Sequence, residues 1–249
     1  MELLVKNGAN VNSVDNDHYV FFRSFLMIAI QTQNINIVKL LLENGADVNQ
    51  CDEMGNNSLI VAARTQSDDS NALDIIKLLL KYNVNIKQKN IPMPEQKNSL
   101  PDYEKGHTAL SESIIFGNAN VFFLLLENGA SLDELTDINY LIKSMADLGN
   151  FTDKHLEILE LLLSKTNDND PDYLYEYARG GNINVIKLLI EKYNYFDVDD
   201  RAFLASAENN HYDLTKYLLE KNGSVLNLNE VLKKKCYSKS KMSKPKKSF

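Results

Sequence analysis

The chain has 249 residues, 44% of them hydrophobic, a formal net charge of −7, a pI near 5.2 and two cysteines. Cys51 and Cys236 show no spacing suited to a disulfide framework or a zinc site, which fits a reducing compartment. The opening MELLVKNGANVN has only three consecutive apolar residues and no basic start, so no signal peptide is expected. The longest apolar stretch, 19–30, contains Arg23 and is too short to span a membrane.

In chain order, Leu3, Leu4 and Val5 before Asn7-Gly8 read as the end of a helix whose partner helix is missing. A truncated reading frame or a degenerate first unit would give this pattern. The first complete unit is SFLMIAIQTQNINIVKLLLENGADVN, 24–49. Ser24 can accept a hydrogen bond from the open first turn of a helix. In INIVKLLL, 35–42, the apolar residues fall at helix-face spacing and stop at Asn44-Gly45.

The pattern then recurs. Polar residues open further helices at Asn57, Thr108, Asn139, Asp172 and Arg201, and apolar triplets begin at Leu78, Leu124, Leu161, Leu188 and Tyr217. Counted from Leu3 through Leu40, successive triplets lie 37, 38, 46, 37, 27 and 29 residues apart, the period of a stacked repeat protein. From Ser24 to Leu40, Thr108 to Leu124, Asp172 to Leu188 and Arg201 to Tyr217 the spacing is 16 residues. That holds two short helices and a tight turn, with no room for a strand.

The connections vary more. The longest carries an insertion, 88–104, whose Pro92, Pro94 and Pro101 predict an irregular extended surface loop. Shorter insertions at 67–71 and 150–154 separate the two helices of one unit and read as solvated loops. The last segment, 228–249, has the composition of a disordered tail. From Lys233 it holds eight lysines and no acidic residue, which leaves residues 1–232 with a formal charge of −15.

These residues resemble the ankyrin repeat. NIVKLLLENGADVN (36–49) followed by DEMGNNSLIVAA (52–63) is close to that family's second helix, finger turn and first helix. The resemblance covers roughly residues 1–227: a fragment and loop over 1–23, then six repeats over 24–227 starting near 24, 57, 108, 139, 172 and 201. It implies an all-α solenoid of stacked helix–turn–helix units with β-turn fingers. The array is partly degenerate. The family's Thr-Pro-Leu-His opening has no Pro here, and its His position holds Met27, Ile60, Ser111, Ile142, Tyr175 and Leu204. Lower stability than a consensus array is expected. The 30 asparagines against 10 glycines are similar to the large ankyrin families of giant DNA viruses, protists and intracellular bacteria, which would make a host protein the partner.

No catalytic constellation emerges, and no catalytic residue, cofactor or metal is expected. His18, His107, His155 and His211 keep no metal-ligand spacing. His107 and His211 fall at family turn positions and read as structural. Gly180-Gly181 lacks the preceding strand and following Lys-Ser/Thr of a phosphate loop.

The resemblance implies instead a non-enzymatic protein-interaction module, an adaptor or scaffold that takes a partner protein on its concave face and fingers. By register, the finger positions are Glu53, Met54, Asn56 and His107. The helix-end positions are Gln31, Thr32, Arg64, Thr65, Ile115, Phe116, Arg179, Glu208 and Asn209, with Phe116 and Met54 as apolar anchors. A basic partner surface would complement the acidic array and speed association. An aromatic cluster, Tyr173, Tyr175, Tyr177, Tyr193, Tyr195 and Phe196, offers a second patch or additional core. Two other readings are a degenerate or truncated remnant without a specific partner, and a nuclear regulator using the tail at 233–247, which also suits nucleic acid or anionic membrane. A monomer is expected, in the cytoplasm or in a host cytoplasm or nucleus.

Overall fold

The computed structural model describes residues 7–15, 23–65, 70–91, 106–149, 151–166, 170–193, 195 and 200–221. The fragment at Leu3, His18, Phe196, most of the insertion 88–104 and the lysine tail lie outside the described residues. The chain divides into two compact units, Met1–Thr166 and Asn167–Phe249. The division falls between the repeats read as starting near 139 and 172.

Local chemistry sets the helices of the first unit. Ser24 Oγ accepts from the Met27 N–H at 3.3 Å and opens α1, Phe25–Gln31. Asn34 Oδ1 accepts from Ile37 N–H at 3.2 Å and opens α2, Ile35–Glu43, which buries Val38, Leu41 and Leu42 on one face. Asn57 Oδ1 takes the N–H groups of Leu59 and Ile60 at 3.1 and 3.0 Å to open α3, Ser58–Ala63. Then follow α4 (Ser70–Lys81), α5 (Ala109–Ile115, capped by Thr108), α6 (Ala119–Glu127), α7 (Ile138–Ser144) and α8 (Asp153–Lys165). One antiparallel ladder of two residues each, β1 (Val14–Asp15) with β2 (Arg23–Ser24), precedes α1. Among the described residues it is the only sheet, and the class is all-α.

Some openings differ from the sequence expectation. The cap of α7 is Asp137, not Asn139. Asp137 has left-handed backbone (φ +51) and accepts from Tyr140 N–H at 2.9 Å. The stretch read as a solvated loop at 150–154 already contains a helix start: Thr152 and His155 form a reciprocal cap on α8.

Neighbouring helix pairs complete each other's core. The first helices α1, α3, α5 and α7 pack in that order, and α2, α4, α6 and α8 form a second layer behind them. All six residues of α3 are buried, as are Ile75, Ile76 and Leu79 of α4 and Phe122 and Leu125 of α6. The second unit repeats the arrangement. In it α9 (Asp172–Arg179) packs on α11 (Asp200–Glu208), and each rests on its own second helix, α10 (Ile183–Glu191) and α12 (Tyr212–Lys221). Among the described residues no helix is long and apolar enough to cross a membrane.

Polar side chains stitch the pairs together at fixed register. Asn12 Oδ1 accepts from Asp47 N–H at 2.7 Å, and Asn49 Oδ1 accepts from Asn85 N–H at 2.7 Å, one repeat on. At the next step Lys87 stands where the asparagine was and pairs with Glu134 at 2.7 Å. A second stitch starts at the second helices. Asn118 Nδ2 donates to the Ala63 carbonyl at 2.7 Å, and His155 Nε2 lies 2.9 Å from the Gly117 carbonyl. In the second unit His211 Nε2 lies 3.0 Å from the Arg179 carbonyl. Thr152 N–H donates to His155 Nδ1, which puts the His155 proton on Nε2, facing Gly117. His211 also explains Gly181. That glycine has φ +76, and a Cβ on it would collide with the imidazole ring.

These bonds offset the missing Thr-His network. Asn57 caps α3 and also donates from Nδ2 to the Asn85 carbonyl at 2.9 Å, while Ser111 Oγ donates to the Thr108 carbonyl at 3.0 Å. Asn57→Ala removes the cap and the inter-repeat bond together and is expected to cost about 1–3 kcal/mol in urea unfolding followed by circular dichroism. Asn57→Asp keeps the cap acceptor and should lose less. Equal losses in the two variants would put the whole effect on the bond to Asn85.

Candidate partner-binding surface

The stacking of first helices in the first unit places their C-terminal ends in one row. Gln31 and Thr32 end α1, Arg64 and Thr65 follow α3, and Ile115 and Phe116 end α5. Gln31 and Thr32 are exposed, and Thr32 Oγ1 donates back to the carbonyls of Ile28 and Ala29 at 3.1 Å. Arg64, Thr65, Ile115 and Phe116 are partly exposed, with Thr65 Oγ1 donating to the Ala62 carbonyl at 2.6 Å.

The fingers hold the other predicted positions. Asp52 organises the first: its Oδ1 accepts from the N–H groups of Met54 and Asn56 at 2.9 Å, and its carboxylate takes the Asn56 side-chain amide. Glu53 is exposed and Met54 partly exposed at the tip, where the Met54 carbonyl accepts from Ile91 N–H at 2.6 Å. Ile91 itself is 58% exposed, so this backbone bond brings a second exposed apolar residue next to Met54. Asn56, by contrast, is only 3% exposed and His107 only 7%. Both serve the turns and present little surface to a partner, which corrects their expected place on the fingers. The reason is bonding: Asn56 is consumed by Asp52, and His107 stacks on Tyr140 at 5.9 Å and closes a turn with Asn90.

That turn rests on a residue the sequence reading passed over. Glu112, buried within α5, accepts at Oε1 from Arg64 Nη2 at 2.8 Å and from Asn90 Nδ2 at 3.0 Å, and His107 Nδ1 lies 3.6 Å away. Burial alone would raise the Glu112 pKa, but the bonds and charges of His107 and Arg64 outweigh it and hold the carboxyl below its usual range. Arg64 is thus tied to the stack by a buried carboxylate. Its signal was an acidic residue at a register position that holds Ile28 and Val61 in the two preceding repeats.

In the second unit, Arg179 is partly exposed and pairs with Glu176 at 3.0 Å. Glu208 and Asn209 are exposed at the end of α11, and Asn209 Nδ2 donates to the Ala205 carbonyl at 2.8 Å. The tyrosine patch does not form as a surface. Tyr173 and Tyr177 are fully buried, Tyr195 nearly so, and burial pushes the Tyr177 hydroxyl pKa far up. Tyr175 stays partly exposed, with the Arg201 guanidinium 5.9 Å above its ring. Among the described residues no group of three or more His, Cys, Asp or Glu is placed to hold a metal.

Comparison with known proteins agrees with this architecture. A family model for ankyrin repeats, in three copies, matches residues 1–90 and 145–230. An ankyrin repeat and KH domain-containing protein from Caenorhabditis briggsae is 24% identical over 80% of the chain, which spans 7% of that protein. An ankyrin repeat protein of Acanthamoeba polyphaga mimivirus is 34% identical over 33% of the chain, and one of Rickettsia felis is 30% identical over 36%. The aligned segments cover 13% and 40% of those two, so the chain spans less than half the length of each relative.

Glu112→Gln should lower stability by about 1–3 kcal/mol at neutral pH, because a charged hydrogen-bond acceptor is lost from a buried site. The folded Glu112 pKa lies below the unfolded one, so the stability it contributes is complete above about pH 4.3 and fades as pH falls through the lowered folded value. Urea titrations of wild type and variant from pH 7 downward should therefore converge in acid. A gap that persists unchanged well below that pH would rule out the carboxylate as its source.

Proposed function

Because the chain belongs to the ankyrin repeat family, we propose that it is an adaptor that holds a partner protein on the helix ends and fingers of its first unit. Ankyrin repeats are generally protein-interaction modules and generally not enzymes. The observation that carries the narrower reading is the row formed by Gln31, Thr32, Arg64, Thr65, Ile115 and Phe116, with Met54 and Ile91 at the finger tips. These side chains lie on rigid, stacked helices or on hydrogen-bonded turns, so little ordering entropy opposes binding. Phe116 and Met54 are the apolar members able to enter a partner's surface. The partner is a protein with basic groups, complementary to the acidic array. The viral and rickettsial relatives favour a host protein in that role, met by a monomer in the cytoplasm or nucleus.

Affinity capture from cell lysate with the wild-type chain and with a Met54→Ala, Phe116→Ala variant tests this reading. A protein retained by wild type and lost by the variant, with the variant's circular dichroism unchanged, is the expected result. A protein retained equally by both would move the site away from this row.

A further inference from the structure

The turn that ends α5 differs from its counterparts. The end pairs of α1, α3, α9 and α11 are Gln31-Thr32, Arg64-Thr65, Arg179-Gly180 and Glu208-Asn209, all polar or glycine, and α7 ends in Ser144 with a fully buried Met145, whereas α5 ends in the partly exposed Ile115-Phe116. Two further apolar side chains reach the same turn from the connection between α7 and α8. Leu148, partly exposed, packs over Gly117 so closely that a Cβ there would lie 2.8 Å from Leu148 Cδ2. Phe151, also partly exposed, lies against His155 with ring centroids 5.4 Å apart. The same His155 meets the Gly117 carbonyl at 2.9 Å. Leu148 directly, and Phe151 through His155, are thus tied to the glycine that follows Ile115 and Phe116, and none of the four side chains is fully buried. Beside them in the chain stand two exposed acids, Asp147 before Leu148 and Asp153 two residues after Phe151.

We propose that Ile115, Phe116, Leu148 and Phe151 form the principal anchor of the partner-binding surface, a reading that rests on the first unit being that surface. The patch takes a protein segment with bulky apolar side chains next to Lys or Arg. Covering the four side chains supplies affinity. Asp147 and Asp153 orient the basic flank and, with the acidic array, speed encounter. Gly117 favours the patch: a Cβ there would force Leu148 Cδ2 to shift, and glycine adopts its φ of +71 at the least cost.

A random-peptide library displayed on phage and selected on the full chain provides the probe. Enriched peptides are titrated against wild type, Leu148→Ser with Phe151→Ser, Asp147→Asn with Asp153→Asn, and Met54→Ala, each checked for folding by thermal melt. The expected peptides combine apolar residues with Lys or Arg. Their Kd should rise about tenfold or more in the Leu148/Phe151 variant and distinctly less in Met54→Ala, which removes a lesser anchor of the same surface. The Asp147/Asp153 variant should slow association at low salt, and it carries the test if the apolar variant fails to fold. Peptides weakened by Met54→Ala or Phe116→Ala but indifferent to Leu148 and Phe151 would leave the wider surface standing and overturn this patch. Enriched peptides without basic residues would overturn the role of the two acids, and enrichment of no sequence would overturn patch and surface together.

Discussion

A pair of short helices has apolar residues on both flanks and too little thickness to bury them. In this chain α3 shows the constraint most plainly: six residues long and buried at every position, it has α1 on one side, α5 on the other and α4 behind. Alone it would fall below the length at which a helix persists in water. Its stability belongs to its neighbours, and theirs to it. The short turns, the two layers and the row of helix ends all follow from that mutual burial, because a surface that repeats in space is the by-product of a core that repeats in space.

Polar groups set the register of this stack more than its strength. Asn12 and Asn49 reach the next repeat through the same backbone position, and where Lys87 takes over, an ion pair with Glu134 spans the same gap. Glu112 belongs to this set. It sits where the two preceding repeats hold Ile28 and Val61, and its cost of burial is offset because Arg64, Asn90 and His107 converge on it. Asn90, near the start of the long insertion, and His107, just after it, are joined by the Asn90 N–H to His107 carbonyl bond at 3.0 Å. The fold thus tolerates extra chain there by tying both ends to a buried carboxylate.

How far the sequence revealed this depended on the range of each interaction. The repeats and the caps at Ser24, Asn57 and Thr108 were legible because a cap and its helix lie within a few residues. Asn139 was misplaced because Asp137 is an equally good cap, and its left-handed backbone leaves no trace in residue type. The fate of Tyr173 and Tyr177 turned on another helix. On α11, packed against α9, Ala202 and Ala205 are buried, and such small residues leave room for large rings opposite. Of the candidate surface, the exposed helix ends could be placed by counting. The burial of Asn56 and His107 and the link of Leu148, and of Phe151 through His155, to Gly117 required the tertiary structure.

Asn118, His155 and His211 all make their inter-repeat bond to a main-chain carbonyl rather than to a side chain. A carbonyl is present whatever the residue, so the acceptor half of such a joint survives a change of the side chain that carries it. Residues such as Ala63 and Arg179 can therefore vary without breaking the bond, while the donor side chain and Gly181, against which the His211 ring lies, cannot vary as freely.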